Sequence, residues 1–208
     1  MKKYIFLTLS LLCFLPSYSQ DPHFTQYYAS PLFLNPALAG GEYCPRIITN
    51  YRNQWPMLAG NFETYSASFD LTLEPIHGGL GVMILHDDAG NGTIKSTFAS
   101  FIYSYHTKLT KKIDLLTGFQ FSSHQRSLNP NLSFGDEIHE IYGFVFPTND
   151  PIADGIISKS YLDFSIGTLL SSKSFFLGLA AHHLTQPEDA FLEESKLAMK
   201  TTIHGGAD

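Results

Sequence analysis

Along most of this chain the apolar residues recur at every second position. Over residues 62–74 one face carries Tyr65, Ala67, Phe69, Leu71 and Leu73, and the other carries Thr64, Ser66, Ser68, Asp70 and Thr72. Residues 78–86 set Leu80, Val82 and Ile84 against Gly79, Gly81 and Met83. Residues 113–123 oppose Ile113, Leu115, Phe119 and Phe121 to Asp114, Gly118, Gln120 and Ser122. The same alternation runs through 162–170, with Leu162, Phe164, Ile166 and Leu170 opposite Asp163, Ser165 and Gly167. In 175–183, Phe175, Leu177, Leu179 and Ala181 oppose Gly178, Ala180 and His182. A period of two predicts β-strands with one apolar face. Residues 94–106 also read as a strand, although their two faces are less distinct.

The non-apolar face separates two kinds of sheet. A soluble sheet often puts Lys, Glu and Thr on its wet side. Here that side is mostly Gly, Ser, Thr and Ala with a few acids, which suits a crowded or water-filled lumen. Aromatic residues make up 14% of the chain and charged residues only 15%, against about a quarter charged in ordinary domains. No apolar run is long enough for a membrane helix, which needs roughly 20 residues. The expected fold is therefore all-β, an antiparallel transmembrane β-barrel. A secreted soluble β-domain is the competing architecture.

The ends of the pattern organise the rest. Lys2 and Lys3, an apolar run from Tyr4 to Leu15, then Pro16 and the small residues of Ser17-Tyr18-Ser19 have the layout of a signal peptide over 1–19. Removing it takes two lysines from 13 basic residues against 19 acidic ones, so the net charge moves from −6 to −8. An acidic chain is a poor partner for nucleic acid. Cys13 leaves with the leader, and Cys44 alone can form neither an internal disulfide nor a cysteine zinc site. Residues 20–44 show no period, and Pro31 and Pro36 argue against both helix and central strand. Their aromatics argue against a plain tail, so an irregular peptide packed against something is expected. Residues 45–208 hold the strands, with Asn91-Gly92 as a tight-turn signal and a long loop over 126–158.

Chemistry-bearing groups are sparse. Asp87-Asp88 with Asn91 lacks the spacing and distal Glu of a calcium loop. His182 and His183, as strand neighbours, should point to opposite faces and not chelate together. Asp136, Glu137, His139 and Glu140 read as a solvated loop, as does "LEESK" near Leu192. There is no Gly-x-Ser-x-Gly elbow and no phosphate-cradling Gly loop.

The stretch "QDPHFTQYYASPLFLNPALAG" (20–40) resembles the opening of the PorP/SprF family of the Bacteroidetes type IX secretion system. Further similar pieces follow in order: "CPRIITNYRNQWP" (44–56), "TYSASFD" (64–70), "HGGLGV" (77–82), "GFQFSSHQRSL" (118–128), "LSFGD" (132–136) and "LAAHHLTQP" (179–187). The resemblance implies an outer-membrane barrel of about 14 strands. It makes this chain a fragment with roughly the first eight strands. It implies a part in type IX secretion and gliding motility, with exported cargo, periplasmic machine components and outer-membrane lipid as partners. It implies no enzyme activity, cofactor or metal. The alternative is a diffusion or uptake channel for small apolar solutes. Asp21, Pro22, His23, Phe24, Gln26, Tyr27, Tyr28, Asn35 and Pro36 are the partner-binding candidates. Residues 21–41 belong in the periplasm or inside the lumen, where protein or water satisfies irregular backbone. Phe24, Tyr27, Tyr28 and Phe33 are expected to be buried there.

Overall fold

The computed structural model describes residues 21–22, 24–42, 44–58, 60–129, 135–139, 141–145, 147–148, 157–191 and 195–207. The expected leader and His23 lie outside them, as do Glu140 and Leu192. The described chain is all-β. Strands β1 (Arg46–Gln54), β2 (Phe62–Leu73), β3 (Gly78–Ala89), β4 (Ile94–Lys108) and β5 (Ile113–Leu128) are followed by a small hairpin, β6 (Ile138–His139) and β7 (Gly143–Phe144). Then come β8 (Ile157–Ser172), β9 (Phe175–His182) and β10 (Lys200–Ala207). Eight of these form one antiparallel sheet in the order β1-β2-β3-β4-β5-β8-β9-β10, with β1 and β10 at its edges. The sheet curls into a half-barrel. The β6–β7 hairpin stands within the long loop, a local pairing that the loop's Pro and Asn content concealed.

Sequence alternation and cross-strand register agree. Phe69 pairs with Val82, Val82 with Phe101, Phe101 with Phe121, and Phe121 with Phe164. These five form an unbroken apolar row on the outer surface, each between 36% and 50% exposed. One position along, the inner row of Ser68, Met83, Ser100, Ser122 and Asp163 is buried. Burial is thus inverted relative to a soluble sheet: small polar residues are covered and large apolar ones are not. This is the arrangement of a sheet whose outer face meets lipid.

The ambiguous strand β4 has a local explanation. Its inward positions include Phe98 and Ile102, both buried, as well as Ser100 and Ser104. An inner face with apolar residues at two sites blurs the period. Those two pack in the main apolar cluster with Phe24, Leu32, Ala39, Met83 and Leu85.

What covers the inner face is the aperiodic segment. It is not irregular throughout. Tyr27–Ala29 and Pro36–Leu38 are single 3₁₀ turns, and Pro31–Leu34 forms a short helix, α1. The prolines that argued against helix are its starters: Pro31 and Pro36 each stand in the first turn, where an N–H would have no partner anyway. Asn35 then caps the second 3₁₀ turn, its Oδ1 accepting from Ala37 N–H at 2.9 Å.

Candidate functional site

The segment descends along the inner wall, and the wall's polar residues take its backbone. Backbone carbonyls buried away from water need donors. His182 Nε2 lies 3.4 Å from the Leu34 carbonyl, and His106 Nε2 lies 3.3 Å from that of Ala39. Since a carbonyl only accepts, both nitrogens carry hydrogen. Ser104 Oγ donates to Ala37 O at 3.0 Å, Arg46 Nη2 to Leu38 O at 3.3 Å, and Thr72 Oγ1 to Gly40 O at 2.7 Å. The small polar lining is a matched set of donors for a peptide with little secondary structure.

Two glycines let that peptide come close. A Cβ on Gly118 would overlap the backbone of Pro36 and Ala37, and one on Gly167 would overlap the Asn35 amide. Two residues along the same strands, on the same face, Leu116 and Leu169 pack on Ala37 and Leu38.

Three side-chain anchors hold the segment at different heights. Near its C-terminal end, Asp70 on β2 is buried. It accepts from Gly40 N–H at 2.9 Å and takes a two-pronged pair from Arg46, at 3.0 and 2.9 Å. In the middle, Asn35 is fully buried; its Nδ2 donates to Thr168 O at 3.1 Å and lies 3.0 Å from His204 Nε2. At the N-terminal end, Asp21 meets Lys200 Nζ at 2.8 Å and His183 Nε2 at 3.1 Å.

His183 bridges two carboxylates, because its Nδ1 lies 2.8 Å from Asp163 Oδ2. Carboxylates only accept, so both ring nitrogens donate and the ring is an imidazolium. Burial alone would lower the His183 pKa, but the hydrogen bonds it donates to Asp163 and Asp21 outweigh that and raise it to about 9. Burial works against the Asp21 carboxylate too, and its contacts with His183 and Lys200 still hold it well below the usual range. Thr185 Oγ1 completes the anchor, donating to Asp163 Oδ1 at 2.8 Å.

The alternation rule misplaced His183. It lies just past the end of β9, and its backbone is left-handed (φ 59°). That turn brings it to the same side as His182, so both histidines are buried, with ring centroids 6.5 Å apart. The other singled-out groups have local roles. Asp88 accepts from Gly92 N–H in the β3–β4 turn, and Asp87 accepts from Thr64 Oγ1 at 2.6 Å. Asp136 accepts from Thr148 Oγ1 at 2.8 Å.

The motif candidates divide into two sets. Asp21, Phe24, Asn35 and Pro36 are engaged with the wall, and Pro22 lines the cavity beside His183. Phe24 is buried edge-on to Phe33 at 6.0 Å, and Phe33 stacks on Phe98 at 6.2 Å. Tyr27 and Tyr28, expected to be buried, are 60% and 66% exposed, and Gln26 is exposed beside them. The two rings lie edge to face at 5.7 Å. They line an open groove with Phe24, Phe33 and the β10 residues Thr202 and Ile203. Asp70, Asp163, His183, Lys200 and Arg46 were missed as site residues. For Asp70 and Asp163 the visible signal was an acid on the inward face of a strand, and His183 was weighed only as a metal ligand.

The family model described as type IX secretion system membrane protein PorP/SprF matches residues 17–208. Comparison with curated proteins and with solved structures gave no match.

Proposed function

Since the chain belongs to the PorP/SprF family of type IX secretion system membrane proteins, we propose that it is an outer-membrane component that docks or anchors exported cargo and links it to the secretion and gliding machinery. The observation that carries this reading is the inverted sheet, apolar outside and polar inside, with residues 24–40 laid along the inner wall. A diffusion or uptake channel for small apolar solutes is the competing reading.

By the rule that barrel turns are short on the periplasmic side, the connections 74–77, 109–112 and 173–174 face the periplasm. The exit of the segment at Gly40–Gly41 faces it too. The connections at the other end, 55–61, 90–93, 129–156 and 183–199, then face outward, and all but 90–93 are longer. Of the motif candidates, those bonded to the wall would act by shaping the segment. Gln26, Tyr27 and Tyr28 would be left to touch a partner. Deletion of the gene tests the proposal. Cargo bearing the type IX export signal should be lost from the medium and cell surface and be restored by the wild-type gene. Unchanged secretion and anchoring would remove it.

A further inference from the structure

The N-terminal anchor is more than a tie. Lys200 on β10, His183 after β9 and Arg126 on β5 line a single small cavity of about 80 Å³, together with Asp163, Asp189 and Asp21. Each wall acid has a wall partner. Asp163 is committed to His183 and Thr185, and Asp189 takes Arg126 Nη1 at 2.7 Å. Asp21 is different: it belongs to the inserted segment and supplies the third carboxylate from outside the sheet. Two polar atoms in the lining are buried and take no hydrogen bond, Gln120 Oε1 and Arg126 Nε. Gln120 is itself only 7% exposed. Native structures rarely leave such atoms unpaired unless a ligand or water fills the gap.

We propose that Lys200, His183 and Arg126 form a carboxylate-binding site on the inner wall, that Asp21 occupies it in cis, and that a carboxylate of another molecule takes it when residue 21 withdraws. The charge count supports this. With His183 an imidazolium, three cationic groups face three carboxylates, and withdrawal of Asp21 leaves Asp163 and Asp189 alone against them. His183 Nε2, on a side chain only 8% exposed, then loses its acceptor where bare charge is costly, and the partly exposed Lys200 loses its ion pair. Arg126 Nε adds a donor to the incoming group, and Gln120 Oε1 would accept from an N–H beside it. A carboxylate next to an amide is the chemistry of a polypeptide's end. Only this last step, the bearer of the carboxylate, rests on the secretion reading.

The site can be tested on the purified full chain by chemical rescue. Asp21→Ala vacates the seat, and residues 24–40 should be cut faster by a broad protease. Acetate should bind this variant about tenfold more tightly than the wild type, in which Asp21 holds the seat, as read by titration calorimetry. Chloride at equal ionic strength and neutral acetamide should not. Adding His183→Ala to the same variant should abolish the acetate effect. Should Asp21→Ala fail to fold, Asp21→Asn keeps the shape without the charge and serves in the same comparison. Acetate no better than chloride, in either variant, would overturn the site. A peptide with a free C-terminus binding better than its C-terminal amide supports a polypeptide source, and equal binding overturns it. An acetate effect with unchanged secretion in the deletion strain would leave the site and remove the secretion reading; the reverse pair would do the opposite.

Discussion

Asn35 does three jobs with one side chain, and each fixes its chemistry. Its oxygen accepts from Ala37 N–H, and its amide nitrogen faces the Thr168 carbonyl and His204. Asn35→Ala therefore strands buried partners, at a cost of about 1–3 kcal/mol. Asn35→Asp should do worse, because a carboxylate oxygen would face a carbonyl that cannot donate. Protease protection of residues 24–40 should rank wild type over Ala over Asp; equal protection in all three would show that the cap does not hold the segment. His183 carries a pH dependence of definite sign. Its folded pKa, about 9, is raised above the ordinary 6.5. Its contribution is complete below about 6.5 and is lost as pH rises through 9. Protection of the segment should be greatest below about pH 6.5 and fall progressively up to about pH 9. His183→Gln should flatten that fall.

At the scale of the element, the sheet is a two-sided object with opposite demands. Phe164 sits in the outer apolar row and Gln120 on the inner wall, near each other in β8 and β5. Phe164→Arg should cost on the order of 2–4 kcal/mol in assembly if the row lies near the bilayer midplane. Gln120→Arg should be milder for assembly. The folded yield of each variant in lipid checks this; equal loss would mean that the outer row does not face lipid. Gly118→Val tests the inner wall alone. It leaves the outer row intact, and its side chain collides with the backbone of Pro36 and Ala37. It should loosen the segment while the strands still form.

These elements also show what could be read in advance. Alternation survived in β2, β3, β5, β8 and β9 because one face carries large apolar side chains outward and the other carries mostly small residues toward the inserted segment. It blurred in β4, where Phe98 and Ile102 turn inward to meet Phe24 and Leu32. The proline argument failed in the segment because a helix of one turn has only first-turn positions. The anchors stayed hidden because ion pairs such as Asp21–Lys200 join opposite ends of the sequence, and no local pattern records them. His183 was lost to a single left-handed residue.

At the scale of the molecule, the long antiparallel strands and the exposed outer row call for a membrane. The full chain should fractionate with outer membranes and migrate faster on electrophoresis unheated than boiled. Recovery in the soluble periplasm would contradict the membrane reading of the sheet.

The close seat of Pro36 and Ala37 over Gly118 also fixes an order of events. A sheet that curls without the segment leaves Ser104, His106 and His182 on the inner wall without the carbonyls they bond. The segment precedes every strand in the chain, so it is present before any of them pairs. We expect it to act as a mandrel around which the strands wind. The segment supplied as a separate peptide should therefore join a truncated sheet when the two are refolded together. It should fail to join when it is added afterwards.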